Sequence, residues 1–471
     1  MRIHLSVAAP LVVLFSALLA QSSFALESVK TPPFERIELE NGVVLLLIQR
    51  HDVPLIDFDA RLRGGARLDP PGRFGVANLL AGLLEKGAGQ RDALSFAQTL
   101  ASVGGRIATS ASVEAISISG SFLARDRVLM IELLADMLQH PHLDEGELDK
   151  LRSRYIEFIR AAKDSDLATL TPIYGAAALF GAHPYGNPVF GSERSLASIV
   201  VEDVRSYYTQ HVGADRLILS IVGDFDAQEM KRLVSRAFAG WRRARTPLVD
   251  VVPPTPLEQR RVLLVDAPES VQSYFWLGNV GVSQADPRRA ALDVVNTLFG
   301  GRFTSMLNTE LRVRTGLSYG AGSRFERRAQ PGYWAFSSFT RTETTIEAID
   351  LALATLERLH TEGVDLTTLE SAKKYLLGQF PLGLETGAQW AAQLATLELY
   401  GLSPRYVDDY TAAVDSVELG DARKVIAEVF PKADRLLLVV IGQASALREP
   451  LKKYGPVQEL RLSDPVWSPD H

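Results

Sequence analysis

Two stretches of this chain each occur twice, at nearly the same distance. Leu143-Asp144-Glu145-Gly146-Glu147-Leu148-Asp149 opens a helix, and Val364-Asp365-Leu366-Thr367-Thr368-Leu369-Glu370 does the same 221 positions later (365 − 144). Arg216-Leu217-Ile218-Leu219-Ser220-Ile221-Val222-Gly223 reads as a buried strand closed by glycine. Arg435-Leu436-Leu437-Leu438-Val439-Val440-Ile441-Gly442 matches it at an offset of 219 (435 − 216). Two separate matches with almost one offset imply a duplicated unit of about 220 residues. What the first unit builds, the second must build too.

Each unit mixes strands and helices. Residues 43–49, 55–62 and 112–121 read as strands in the first, and 92–103, 126–139 and 144–162 as helices. In the second, 272–280 and 333–340 read as strands, and 287–299, 344–360 and 366–379 as helices. Asp144 and Asp365 are the expected N-caps of their helices. Strands in runs with helices grouped between them indicate α+β halves. Between the halves, residues 242–260 carry Pro247, Pro253, Pro254 and Pro256 and read as a stiff, exposed linker. The chain thus divides into an N-terminal segment (1–25), a first half (34–241), the linker (242–260), a second half (261–455) and an unpatterned tail (456–471).

The segment 1–25 has the form of a secretory signal peptide: Arg2, an apolar run over 5–19, and Ser23-Phe24-Ala25 as cleavage site. The apolar run is shorter than the roughly 20 residues a membrane span needs. A cleaved, exported chain, periplasmic and not membrane-held, is the expectation. With no cysteine it has neither disulfides nor a thiolate ligand or nucleophile. A formal charge of −6 argues against a nucleic-acid partner.

Chemistry is sparse at first sight. No two of the eight histidines sit at i and i+4 on a helix. His140 and His142 flank Pro141 at a helix end, where a cap or loop role is the plainer reading. No G-x-S-x-G elbow occurs, and Gly300-Gly301-Arg302-Phe303-Thr304-Ser305 lacks the core of a phosphate loop, reading instead as a glycine turn before a helix.

Several segments, in order, carry a family resemblance. They are Leu39-Glu40-Asn41-Gly42-Val43, Gly64-Gly65-Ala66-Arg67, Glu85-Lys86-Gly87 and Leu100-Ala101-Ser102-Val103-Gly104-Gly105. His183-Pro184-Tyr185-Gly186, Ile221-Val222-Gly223-Asp224 and the stretch from Arg312 to Tyr319 follow. Together they resemble the pitrilysin and insulinase family of zinc metallopeptidases, which includes the mitochondrial processing peptidase. The resemblance implies an α+β fold of two homologous halves, each of antiparallel sheets packed with helices, forming a clamshell. Active members carry H-x-x-E-H on one helix, where two histidines on one face hold zinc and the glutamate acts as base. Here those positions are Asn78, Ala81 and Gly82, which cannot serve. Glu157 falls near the place of the later glutamate ligand, and one carboxylate cannot hold zinc.

Arg312 and Tyr319 match the family's arginine-tyrosine pair, seven apart around Gly316-Leu317, with Arg314 as a solvent-facing neighbour outside the motif. Arginine's fork grips a carbonyl or carboxylate, and a tyrosine hydroxyl donates to an oxyanion. The resemblance implies a zinc-free subunit that holds no cofactor of its own. It would pair as a heterodimer with a homologous zinc-bearing subunit and contribute Arg312 and Tyr319 to the cleavage of unfolded peptides. It also implies that the peptide adds as a strand to a sheet edge. A non-catalytic scaffold or peptide-binding subunit is the alternative.

Overall fold

The structure is a computed structural model that describes residues 29–469. The expected signal peptide at 1–25 lies outside the described residues. Among these, no helix is long and apolar enough to cross a membrane.

Each half contains one six-stranded sheet. The first is built from β1 (Glu35–Glu38), β2 (Val44–Gln49), β3 (Leu55–Arg63), β4 (Arg106–Ala111), β5 (Ala115–Leu123) and β6 (Leu217–Gly223). Its order is β1-β2-β6-β3-β5-β4. The second uses β7 (Arg261–Asp266), β8 (Gln272–Val280), β9 (Ala321–Glu326), β10 (Tyr333–Arg341), β11 (Leu437–Gly442) and β12 (Val457–Arg461), in the order β9-β10-β8-β11-β7-β12. Read from the opposite edge, the second order repeats the first. Most pairs are antiparallel, while β2 with β6, β7 with β11 and β7 with β12 run parallel. The outermost place beside β2 is filled by β1 from the start of the chain, and the matching place beside β7 by β12 from the tail. The α+β clamshell of two homologous halves is therefore the observed architecture, and the tail is part of it.

Strands β2, β6 and β11 are apolar at nearly every position because both faces of each sheet are covered. On β2 and β6, Leu45, Leu47, Leu219 and Ile221 enter the core beneath the first half's own helices. The alternating set Val44, Leu46, Ile48, Ile218 and Val222 faces Trp390, Ala391 and Leu394, which belong to the second half. The second sheet mirrors this. Leu438 and Val440 of β11 face their own helices, whereas Leu437, Val439 and Ile441 join the first half's core.

The covering helices are equivalent and exchanged. We label the helices used below α1 (Val76–Leu83), α2 (Glu145–Ser165), α3 (Leu167–Phe180), α4 (Leu366–Gln379) and α5 (Gly387–Leu399). Helix α3, from the first half, lies on β8 and β11, and α5, which begins 220 positions later (387 − 167), lies on β3 and β6. Gly175 makes the first contact possible, since a Cβ there would stand 2.7 Å from the Trp276 ring on β8. Asp144 and Asp365 cap α2 and α4 through the amides of Glu147 and Thr368, at 3.0 and 2.8 Å.

Polar contacts also tie the seam. Glu114, 6% exposed, accepts from the Tyr185 hydroxyl at 2.6 Å and from the Ala329 amide of the second half at 3.1 Å. The tail closes back over the first half, where Trp467 donates to the Gly191 carbonyl at 2.7 Å and packs edge-on against Tyr174 of α3. Residues 242–260 form no helix or strand and are held to the body, for example by His183 donating from Nε2 to the Val252 carbonyl at 2.8 Å.

Candidate functional site

The helix that would carry zinc ligands is present and filled with packing groups. Helix α1 starts after Gly75, whose φ of 99° places it in the left-handed region. No local side chain caps it. Instead Asp69, fully enclosed, accepts from the amides of Gly75 and Ala77 at 2.7 and 2.9 Å. Burial pushes the Asp69 carboxyl up to about 8, against the opposing pull of those amides. Asn78 and Ala81 are buried, at 7% and 1% exposure. Gly82 faces α2, where a Cβ would meet the Tyr155 phenol oxygen at 2.8 Å and Leu151 at 3.3 Å. This glycine in the last turn of α1 is thus explained by close approach, since the tyrosine occupies the space a longer residue would need.

Glu157 does not complete a site. It lies two residues beyond Tyr155, on another side of α2, with its side chain 68% exposed and paired to Arg160 at 2.8 Å. Among the described residues no group of three or more His, Asp or Glu side chains is placed to hold a metal ion. Asn78, Ala81, Gly82 and the Tyr155 ring do not fit zinc.

Arg312 and Tyr319 lie elsewhere, over the second half's core. Ser305, fully buried, caps a short helical turn, Met306–Asn308, which widens into a π-helical stretch, Thr309–Arg314. Such widened turns recur at functional sites. Gly316, at φ 65°, reverses the chain, and the Ser318 amide returns to the Leu311 carbonyl at 2.9 Å. That reversal lays the Tyr319 ring on the Arg312 guanidinium, whose carbon is 4.4 Å from the ring centroid. The Phe303 ring packs against the same guanidinium, with its centroid 4.7 Å from that carbon. The cation is therefore in contact with two rings, both largely solvent-facing: Phe303 is 58% exposed and Tyr319 75%.

The loops that carry the two rings are braced. Asn308 donates to the Phe303 carbonyl at 3.1 Å and accepts from the Ala321 amide at 3.0 Å, tying the two flanking loops together. Ser318 is fixed by Ser338 at 2.8 Å, and Thr340 holds the Leu317 carbonyl at 2.6 Å. Arg314 differs from Arg312. Its side chain is 64% exposed, yet its guanidinium pairs at 2.8 Å with the buried Glu310, which also binds Arg358 at 2.8 Å. The Arg312 guanidinium makes no hydrogen bond or ion pair among the described residues, and the Tyr319 hydroxyl makes none either. The guanidinium plane is oriented while its N–H edge stays free to grip a carbonyl or carboxylate.

The structure brings Arg312 and Tyr319 together and leaves Asn78, Ala81 and Gly82 apart from them, over a different core. Sequence reasoning missed Phe303. It stood in the glycine turn with no cue that its ring would reach a residue nine positions on.

Comparison with known proteins gives the family. Residues 61–193 match the model of the insulinase family (peptidase family M16), and residues 198–376 match the model described as the peptidase M16 inactive domain. The chain belongs to the insulinase family, peptidase family M16. M16 relatives include an uncharacterized zinc protease of Streptomyces coelicolor, 27% identical across 82% of this chain and 85% of that protein. A protein of Helicobacter pylori described as a non-peptidase homolog is 24% identical, across 73% of this chain and 79% of its own length. Among solved structures, an M16 inactive domain from Pseudomonas fluorescens superposes with a TM-score of 0.80 at 21% identity. That match covers 87% of this chain and 98% of the other, and at that identity it speaks for the M16 fold.

Proposed function

We propose that this chain is the zinc-free subunit of a heteromeric periplasmic metallopeptidase that degrades unfolded peptides. In this reading Arg312 and Tyr319 reach a peptide held at the zinc site of a homologous partner subunit. The observation that carries it is the Phe303–Arg312–Tyr319 cluster: a cation packed on two exposed rings beside an exposed phenol, with neither the guanidinium nor the hydroxyl paired among the described residues. Building such a group costs exposed aromatic surface, which a purely internal role does not require.

The chemistry follows from the donors. When bound in the partner, zinc supplies an activated water for attack on the peptide carbonyl. Arg312 would grip a neighbouring carbonyl or carboxylate of the peptide and fix its register. The Tyr319 hydroxyl would donate to the oxygen on which negative charge develops. The rings of Phe303 and Tyr319 keep the guanidinium from swinging away, so little ordering remains to be done when the peptide arrives.

The test is reconstitution. This chain, a homologous chain with intact H-x-x-E-H, and their mixture are assayed for bound zinc and for cleavage of an unfolded peptide. Cleavage by the mixture, with zinc in the partner only, supports the reading. Zinc or cleavage in this chain alone overturns it, as does full activity of the partner without this chain. Sequencing the N-terminus of the mature protein from a periplasmic extract checks export and cleavage after Ala25.

A further inference from the structure

Strand β4 is an outer edge of the first sheet. The Ser112 amide bonds the Ala115 carbonyl at 2.8 Å, which fixes the alternation of the β4–β5 ladder. Arg106, Ala108 and Ser110 turn their backbone groups to β5, so Ile107, Thr109 and Ala111 turn theirs outward. Such a row is a template for another strand. Here its middle is taken. Glu85, just beyond the end of α1, places Oε1 2.7 Å from the Thr109 amide nitrogen and 2.7 Å from the Thr109 hydroxyl. One carboxylate thus accepts both donors of Thr109, at the position where an added strand would set its own carbonyl.

The second half has a related device. The Asn296 side chain donates to the Ser323 carbonyl on β9 at 3.2 Å and accepts from the Ser323 hydroxyl at 2.8 Å. Both outer strands are held at mid-length by a polar side chain from outside the sheet. The difference lies in charge: Glu85 is an anion acting on a backbone N–H, a bond stronger than the neutral one it would yield to.

We infer that Glu85 closes the β4 edge of this chain to strand addition, so that an extended peptide engaged by the assembled protein pairs with the partner's sheet edge and not with β4. The second clause rests on the proposed heteromeric function; the closed edge stands without it. Arg312 and Tyr319 then act on a peptide whose backbone is held by the other subunit. An incoming peptide gains nothing at Thr109 that Glu85 does not already supply, and it must also leave the displaced carboxylate without its partners.

The test uses the purified full-length chain alone and a fluorescein-labelled unfolded peptide, with the same peptide N-methylated at alternate backbone nitrogens as control. Glu85→Ala should tighten binding of the unmodified peptide about tenfold, with no gain for the N-methylated one. Amide exchange of the wild-type chain gives a second measurement that does not depend on the variant folding. Thr109 should be protected, and added peptide should leave Ile107 and Ala111 exchanging as before. Peptide-induced protection of Ile107 and Ala111 in the wild type overturns the inference, as does equal, methylation-sensitive binding by wild type and Glu85→Ala. Either result leaves the reconstitution experiment untouched, so failure here and failure of the heteromeric reading are told apart.

Discussion

The Tyr155 phenol oxygen lies 2.8 Å from the point where a Cβ on Gly82 would stand. An aromatic side chain therefore fills the room that a longer residue at position 82 would need. Burial raises the pKa of this tyrosine, in keeping with a phenol set into the helix interface. Restoring the motif alone, as Asn78→His with Ala81→Glu and Gly82→His, should give no stoichiometric zinc and should destabilise the fold by about 1–3 kcal/mol through overpacking. Adding Tyr155→Ala should recover part of that loss. Metal content after dialysis and urea unfolding measure both. One zinc per chain in the triple variant would show that Tyr155 does not block the site.

Tyr319 contributes a ring and a hydroxyl, and the two separate by substitution. Tyr319→Phe keeps the ring over Arg312 and removes the donor. In the reconstituted complex its turnover should fall about a hundredfold, the usual cost of an oxyanion donor, with assembly unchanged. Unchanged turnover removes the proposed role of the hydroxyl. Phe303→Ala should cost less, about three- to tenfold, because it frees the guanidinium without removing it, and Phe303→Trp should restore the rate.

Glu114 should matter for stability. Glu114→Ala strands the Tyr185 hydroxyl and the Ala329 amide inside the seam, at an expected loss of about 3 kcal/mol in urea unfolding. Glu114→Gln keeps an acceptor and should lose less. Equal losses would mean that the cavity, and not the lost hydrogen bonds, sets the cost.

Asp69 makes stability depend on pH. Its folded pKa, about 8, lies above the ordinary carboxylate value of 3.8. Between these values the folded chain holds a proton that the unfolded chain has released. Its contribution is therefore fully present below the ordinary value and is lost as pH rises through about 8. Wild type should lose stability relative to Asp69→Asn from roughly pH 5 to pH 8, measured as the difference in urea midpoints. A constant difference across that range would place the carboxyl in its ionised form throughout.

Much of the fold was legible in the chain. The apolar runs of β6 and β11, the capping aspartates at 144 and 365 and the nearly common offset led directly to two like halves, because local pattern and global packing agree there. The exchanged helices were not legible. Residues of α3 from Leu167 to Phe180 are apolar on nearly every side and include Pro172, so no polar stripe marks them as a helix. Strand β12 reads Val-Gln-Glu-Leu-Arg, half-exposed at an edge, and its partner β7 lies far back in the chain. At the site, the spacing of Arg312 and Tyr319 was visible through the resemblance. Phe303 as the second ring on Arg312 was not, since the contact spans a π-helical widening that no local pattern announces.

The exchange of α3 and α5 sets an order of events during synthesis. The outer face of the first sheet stays bare until residues 387–399 have left the ribosome, so neither half can finish folding before the chain is nearly complete. A nascent first half would carry Val44, Leu46, Ile218 and Val222 uncovered. A holding chaperone, or a translocation machine that demands an unfolded client, would meet a polypeptide whose architecture delays its own collapse.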